Sequence, residues 1–253
     1  MSTLKACPEE SGFSAERLSR LSEIERWHYW FIGRRALLLT LLRNYLGAED
    51  QLILDIGCGT GLMLQVLAQQ GLRAVGTDLR PEGLHAISHV LPGARIAQAE
   101  ATHLPFLDNA FSAAMLLDVI EHTDDRAVLE EAFRVLRPGG HAIIVAPAMP
   151  FLWSYRDEAA GHLRRYSRKL FLEVLAHADL EVREVRYYQC LLFPLVAISR
   201  LLGQGGPTTR DLEERSFPVL NKLLALINKL EVRLGDVISW PWGSSLVAVC
   251  QKK

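Results

Sequence analysis

Apolar and polar positions follow two different periods along this chain, and the changes of period predict the order of its elements. Short apolar runs, bounded by glycine, proline and charged residues, predict buried strands. These strands cover residues 52–56, 73–77, 94–97, 111–117, 141–146, 180–188 and 244–251. Apolar residues at helical spacing predict helices over 14–28, 36–46, 62–70, 127–136, 167–177 and 217–234. Strands that alternate with helices in this way favour an α/β fold around a mostly parallel sheet.

The stretch 52–61 joins the first predicted strand to a helix through a glycine-rich turn. Asp55 lies near the end of the strand, and Gly57, Gly59 and Gly61 follow at alternate positions. Glycine tolerates positive φ and has no Cβ, so the chain can turn tightly and a ligand can lie against its backbone. A strand, such a turn and a helix predict a nucleotide-type site, in which polar ligand groups meet backbone N–H groups.

Two familiar nucleotide motifs do not fit this turn. Leu62 occupies the position of the third glycine in the dinucleotide fingerprint, which disfavours a nicotinamide-dependent oxidoreductase. The chain also lacks the Gly-Lys-Ser/Thr sequence of a P-loop. Asp78 ends the second predicted strand, about 20 residues beyond the first glycine, and an acid at that spacing reaches ribose hydroxyls in nucleotide-binding α/β folds.

Charge and cysteine content limit the expected binding partners and the expected cellular compartment of this protein. The net charge is −1, which gives no electrostatic reason to expect a nucleic acid. The four cysteines are scattered, so we expect neither a metal site nor disulfides, and a reducing cytoplasm fits. The N-terminus lacks a signal-peptide pattern, and no apolar run reaches the ~18–20 residues of a membrane span. We therefore expect a cytoplasmic protein, with its oligomeric state left open.

The turn Asp-Ile-Gly-Cys-Gly-Thr-Gly at 55–61 resembles motif I of the class I S-adenosylmethionine-dependent methyltransferases. The resemblance extends over roughly 52–251. It continues in Ala-Glu-Ala-Thr-His-Leu-Pro-Phe at 99–106, Asp-Val-Ile-Glu-His at 118–122 and Leu-Arg-Pro-Gly-Gly at 136–140. His-Leu-Arg-Arg-Tyr at 162–166 is typical of a bacterial branch that resembles the quinone-biosynthesis-type methyltransferase domain.

The resemblance implies a Rossmann-like, seven-stranded, mostly parallel sheet whose last two strands are antiparallel, and S-adenosylmethionine as cofactor. It also implies a set of cofactor contacts. These are Asp55, Gly57, Cys58, Gly59, Gly61, Asp78, Leu79, Glu100, Ala101, Leu117 and Asp118. Glu100 departs from the aspartate usual in the family.

The aromatic segment 25–35 has two interpretations. It is either a helix corner packed on the core, or a lid over the ligand in which Arg34 or Arg35 meets a carboxylate. We include Arg34 among the cofactor contacts.

The acceptor side is predicted around the long connection 146–166, which is rich in aromatic residues. His162 and His122 are the candidate general bases, since an imidazole accepts a proton near neutral pH. Trp153, Arg165 and Tyr166 are the candidate substrate contacts. In the alternative interpretation, the arginines of this loop pair with Asp157 and Glu158 and only hold it in place.

About 50 residues separate the last two predicted strands, far more than a hairpin needs. We expect one methyltransferase domain, with an N-terminal helical cap at 1–47, a core at 48–188 and 240–253, and a helical insert at 189–239. The leucine face of helix 217–234 must be covered, either by the protein body or by an apolar acceptor or bilayer surface.

Three functions are compatible with these features. The favoured one is methyl transfer to a small-molecule or lipid-like acceptor, with possible peripheral membrane contact. A non-catalytic S-adenosylmethionine-binding or assembly module is the alternative, and an oxidoreductase is disfavoured. Turnover to S-adenosylhomocysteine separates the first two.

Overall fold

A single seven-stranded sheet forms the centre of the computed structural model, which describes residues 22–47, 51–178, 180–202 and 218–253. The strands are β1 Leu52–Ile56, β2 Arg73–Asp78, β3 Arg95–Gln98, β4 Phe111–Leu117, β5 Leu136–Pro147, β6 Leu180–Tyr188 and β7 Ser245–Lys252. Their order is β3-β2-β1-β4-β5-β7-β6, and only β7 runs antiparallel to its neighbours. The predicted fold class is confirmed.

Eight α-helices that lie wholly within the described ranges accompany the sheet. They are α1 Tyr29–Tyr45, α2 Leu62–Gln69, α3 Pro81–Val90, α4 Asp125–Val135, α5 Tyr155–Ala160, α6 Arg168–Leu175, α7 Phe193–Leu202 and α8 Pro218–Leu234. Side chains alternate across the sheet, so Leu54 and Ile144 join one core cluster while Ile53 and Ile143 join another. Because the sheet is buried on both faces, its central strands are almost continuously apolar.

Several predicted bounds differ from the structure by one or two residues, and helix α1 begins at Tyr29 rather than at residue 36. The predicted helix 14–28 lies mostly outside the described residues, and 25–27 form a turn before the N-cap His28. The strand predicted at 141–146 is longer in the structure, because β5 already begins at Leu136, and its pairing with β4 shifts register between Phe111 and Ala113. Gly139 has a φ of 76°, which allows this irregularity without ending the strand.

Chain topology places the candidate site at the carboxyl ends of β1 and β4. These strands are neighbours, yet the chain leaves β1 towards β2 on one side and returns to β4 on the other. In open α/β sheets, ligands bind in the crevice at such a switch point.

Helix α8 does not bury the leucine face that the sequence analysis expects to be covered. Asn221, Asn228 and Glu231 are buried, whereas Leu223 and Leu226 are more than half exposed. The buried groups bond to backbone. Asn221 accepts from the N–H of Tyr29 at 2.8 Å, and Glu231 accepts from the N–H groups of Cys190 and Leu191, both at 2.9 Å. The hydrogen-bonding capacity of these polar residues therefore determines which face of α8 is buried.

The leucine side of α8 remains exposed to solvent within the part of the chain that the structure describes. None of the helices in those ranges is long and apolar enough to cross a membrane.

Close packing of α1 on α8 predicts the effect of adding one methyl group. A Cβ on Gly33 would collide with the Tyr188 hydroxyl and lie 2.6 Å from the Asn228 Cβ. We expect Gly33→Ala to destabilise the protein by about 1–3 kcal/mol, although alanine favours a helix. Thermal denaturation measures the loss. Gly47→Ala is the control, because its Cβ would meet only Gln51 Nε2 at 4.0 Å. Equal melting temperatures for the two variants would contradict this account of the interface.

Candidate cofactor and acceptor site

Three glycines shape the turn between β1 and α2. Gly57, Gly59 and Gly61 have φ values of 73°, 53° and 75°, a region that L side chains rarely adopt. Space is restricted as well, since a Cβ on Gly61 would collide with Ile87 and one on Gly57 would lie 2.7 Å from Val119 Cγ2. The turn therefore requires glycine for two independent reasons at these two positions.

The middle glycine faces open space. A Cβ on Gly59 would meet no atom within 4 Å among the described residues. Its N–H donates to Asp78 Oδ2 at 2.8 Å, and the other oxygen of Asp78 accepts from the N–H of Arg80 at 2.9 Å. Asp78 is thus fixed beside the turn with lone pairs to spare, since a carboxylate accepts about four hydrogen bonds. Leu79 follows it and is half exposed.

Burial perturbs two side chains of this turn. Asp55 is 2% exposed, and desolvation raises the pKa of its carboxyl to about 7, with the charge of Arg34 opposing the shift. Burial likewise raises the pKa of the Cys58 thiol well above its usual range, so this cysteine stays a neutral packing group. The N–H groups of Gly57 and Cys58 donate to the Thr77 carbonyl at 2.8 and 2.9 Å.

Arg34 reaches this site from α1. It pairs with Asp118, which follows β4 and adopts a φ of 54°, and it lies over the Trp30 ring at 4.8 Å. Its Nε and Nη2 are buried and have no hydrogen-bond partner among the described residues. Arg35 differs, because its guanidinium donates to the backbone carbonyls of Glu25 and Arg26 at 2.6 and 3.1 Å. Of the two arginines, Arg34 is therefore the one that offers unused donors.

A contact before α1 ties the N-terminal segment to the glycine turn. The Thr60 hydroxyl hydrogen-bonds to the Glu25 carboxylate, and burial raises the pKa of that carboxyl. The segment therefore lies against the ligand turn, as the lid interpretation requires.

Helix α4 holds the segment 99–106 in place. The Leu104 N–H donates to Glu131 Oε1 at 2.7 Å, and Arg134 donates to the carbonyls of Phe106 and Leu104 at 2.8 and 3.1 Å. Within this segment Glu100 is exposed and Ala101 is partly buried. Leu117, at the end of β4, is also partly buried.

Asp157 is the centre of the acceptor-side loop. Its Oδ1 lies 2.9 Å from His162 Nδ1 and 2.7 Å from Arg165 Nη1, while Oδ2 lies 2.6 Å from Arg200 Nη1. Burial alone would raise the pKa of this carboxyl, but the His162 hydrogen bond and the two arginine charges hold the pKa well below its usual range. Since Arg200 belongs to α7, this ion pair joins the insert to the loop.

Two of the three predicted substrate contacts are interior residues. Tyr166 is fully buried and donates from its hydroxyl towards Asp125 Oδ2 at 2.9 Å and the Ile120 carbonyl at 3.2 Å. Arg165 is buried and also donates to the Ala148 carbonyl at 2.8 Å. These contacts argue against direct acceptor contact and give both residues a supporting role, which corrects that part of the sequence interpretation.

The remaining predicted residues meet at the loop. Trp153 is 37% exposed and donates to Glu158 at 3.3 Å. The His122 and His162 rings are 4.8 Å apart, and His122 Nδ1 lies 3.1 Å from the Gly161 carbonyl. Sequence reasoning missed Glu121, which is fully buried between them. The sequence signal that could have indicated Glu121 is its position in Asp-Val-Ile-Glu-His, directly before the candidate base His122.

The chain is similar to known methyltransferases. Residues 54–144 match the family model described as a methyltransferase domain. Over 160 residues the chain is 28% identical to a probable S-adenosylmethionine-dependent methyltransferase of Mycolicibacterium smegmatis, covering 62% of this chain and 61% of that protein. It is 29% identical over 133 residues to a demethylmenaquinone methyltransferase of Paenarthrobacter aurescens. This match covers 52% of this chain and 53% of that protein.

A solved structure shares the fold. It is an S-adenosylmethionine-dependent methyltransferase from Methanosarcina mazei, with a TM-score of 0.55 and 19% identity over 84% of this chain and 96% of that one. These matches show that residues 54–144 form a methyltransferase domain and that the chain shares the fold of S-adenosylmethionine-dependent methyltransferases, whose cofactor is S-adenosylmethionine. The match to the first mycobacterial relatives spans about half of their length, 46%.

Burial of Asp55 predicts a pH-dependent stability. Its pKa is about 7 in the folded protein, against 3.8 for an exposed aspartate, so the folded state binds the proton more tightly. Below about pH 4 the protonated Asp55 carboxyl does not destabilise the folded state. As the pH rises towards 7, the unfolded state loses this proton more readily than the folded state does. The free energy of unfolding therefore falls by on the order of 4 kcal/mol. Asp55→Asn should therefore gain stability relative to the native protein between pH 4 and 8, measured by denaturant unfolding without ligand. A constant difference across that range would contradict the assigned pKa.

Proposed function

We propose that this protein transfers a methyl group from S-adenosylmethionine to a small-molecule or lipid-like acceptor. The observation that carries the proposal is the glycine turn after β1. Its glycines at every second position, Gly57, Gly59 and Gly61, adopt positive φ beside Asp78. The open space at Gly59 and the unused donors of Arg34 support a fit to a ligand with a ribose and a carboxylate.

Each part of the cofactor has candidate partners in this proposal. Asp78 accepts from the ribose hydroxyls, and Leu79, Glu100 and Ala101 border the adenine. Arg34 binds the carboxylate of the methionine part through Nε and Nη2. Asp118, already paired with Arg34, lies next to that carboxylate and can accept from the neighbouring ammonium group.

When bound, S-adenosylmethionine supplies an electrophilic methyl group on a sulfonium. The protein's part is then to align the acceptor with that group and to keep water away, and alignment alone provides much of the rate. His162 accepts the acceptor's proton at Nε2. Its Nδ1 faces the Asp157 carboxylate at 2.9 Å, which fixes the ring orientation and favours the tautomer with Nε2 unprotonated. His122, whose ring lies 4.8 Å from that of His162, is a second candidate base.

The insert gives the acceptor pocket its character in this proposal. Helix α7 contacts the acceptor loop through Arg200 and Asp157, and the Phe151 and Phe193 rings lie 6.4 Å apart. An apolar border of this kind suits a lipid-like acceptor, and one relative is named for demethylmenaquinone, a lipid-like quinone. We propose the same division as the sequence suggested: an N-terminal cap, a catalytic core, and an insert at 189–239 that borders the acceptor and contacts a membrane surface peripherally.

A non-catalytic module would bind the same cofactor. The His162–Asp157 pair favours an enzyme, because the bond to Asp157 orients the imidazole and leaves its Nε2 able to accept a proton. Formation of S-adenosylhomocysteine with a cell-lipid extract distinguishes the two functions.

Loss of the Asp78 carboxylate should weaken cofactor binding. We expect Asp78→Ala to bind S-adenosylhomocysteine roughly ten- to a hundredfold less tightly in calorimetry, because charged hydrogen bonds to two hydroxyls are worth about 1.5–3 kcal/mol. Asp78→Asn keeps the size and should lose part of this affinity, whereas Glu173→Ala, at an exposed position on α6, should lose none. Unchanged affinity in both Asp78 variants, or tighter binding of NAD by the native protein, would contradict the proposed site.

His162 should affect turnover and leave cofactor affinity nearly unchanged. We expect His162→Ala to lower kcat by about 10²–10⁴-fold, the usual contribution of a general base. His177→Ala is the matched control, since that ring lies on the surface and contacts the Glu173 carbonyl at 2.7 Å. An equal loss of affinity and turnover, or a fall in melting temperature alone, would mean that His162 only supports the loop.

A further inference from the structure

Three donor side chains converge at the acceptor end of the crevice. Glu121 and His122 belong to a short 3₁₀ helix after β4, Ile120–His122, and His162 follows α5. One ligand atom from each lies within 4.8 Å of the others. We propose that these three residues bind a divalent transition-metal cation of the Zn²⁺ class, a site beyond the proposed methyl transfer itself.

Glu121 is the observation that points to a ligand. Its side chain is fully buried, and neither carboxylate oxygen has a hydrogen-bond partner among the described residues. A buried carboxylate without partners costs several kcal/mol if ionised, so such a group is normally paired or coordinates a metal. A cation bound by Glu121 would remove this penalty.

Both imidazoles are oriented as metal ligands usually are. His162 Nδ1 lies 2.9 Å from an Asp157 oxygen, and its Nε2 lies 4.0 Å from Glu121 Oε1. His122 Nδ1 lies 3.1 Å from the Gly161 carbonyl, so the Nδ1 of each ring has an acceptor. In metal sites the second nitrogen of a ligating histidine commonly donates to a carboxylate or a backbone carbonyl. Asp157 and Gly161 occupy those two positions here.

The spacing requires only a small contraction. Ligand atoms about 2.0–2.1 Å from a tetrahedral zinc ion lie roughly 3.3 Å from one another. The three atoms here are at most 4.8 Å apart, so a bound ion requires the two imidazoles and the carboxylate to move closer together. Two imidazoles and one carboxylate favour a transition metal over magnesium or calcium, which prefer oxygen ligands.

Three protein ligands leave a coordination position open, as in catalytic metal sites. An acceptor hydroxyl that occupied this position would have a lower pKa and would release its proton to solvent before methyl transfer, a consequence that rests on the proposed function. The loaded site would then replace His162 as the group that activates the acceptor. Metal binding itself is independent of methyl transfer.

The test is a cobalt titration of tag-free, full-length protein that has been freed of metal with a chelator. CoCl₂ should bind with one equivalent per chain, give visible absorption without thiolate charge transfer, and be displaced by ZnCl₂. His162→Ala and His122→Ala should each weaken binding at least tenfold, whereas His177→Ala should not change it. Glu121→Gln should also weaken it, and the melting temperature of each variant shows whether the chain has folded.

Several outcomes would overturn the inference. These are no saturable binding of cobalt or zinc, binding that is unchanged in both histidine variants, or thiolate charge transfer that assigns the metal to a cysteine. S-adenosylhomocysteine binding is measured separately on the same metal-free preparation. Cofactor binding without metal binding would overturn this inference alone, and metal binding without cofactor binding would overturn only the proposed function.

Discussion

The conformation of the turn between β1 and α2 is the constraint on which the ligand site depends. Its three glycines need positive φ, and two of them lie so close to Val119 and Ile87 that no side chain fits. Backbone bonds from Gly57 and Cys58 to the Thr77 carbonyl fix the turn against β2. The same packing brings Asp78 to the N–H of Gly59 and leaves open space above that glycine. One backbone geometry therefore creates both the open space at Gly59 and its acidic edge.

A second interaction organises the acceptor side. The Asp157 carboxylate binds His162, Arg165 and Arg200, which come from the loop and from α7. Two positive charges balance the buried carboxylate, so its desolvation is compensated where it lies. The insert, the loop and the candidate base are thus connected through one side chain, although they are distant in sequence.

Sequence patterns predicted the sheet well and the roles of individual polar residues less well. The bounds of β1, β4 and β6 agree with prediction because apolar runs and glycine stops are local signals. The expectation that the leucine face of α8 is the covered one was wrong. Asn221 and Glu231 are buried instead, where they form hydrogen bonds to distant backbone that no periodicity reveals. Tyr166 could be placed at the loop, but its partner Asp125 lies 41 positions away and only the fold brings them together.

The central claim is that the crevice above β1 and β4 binds S-adenosylmethionine with its methyl group towards His162. A crystal structure with S-adenosylhomocysteine bound tests this claim most directly. We expect the ribose at Asp78, the carboxylate at Arg34, and the sulfur directed to the side of the crevice that holds His162 and Glu121. A ligand bound elsewhere, or a sulfur directed away from the acceptor loop, would contradict the account.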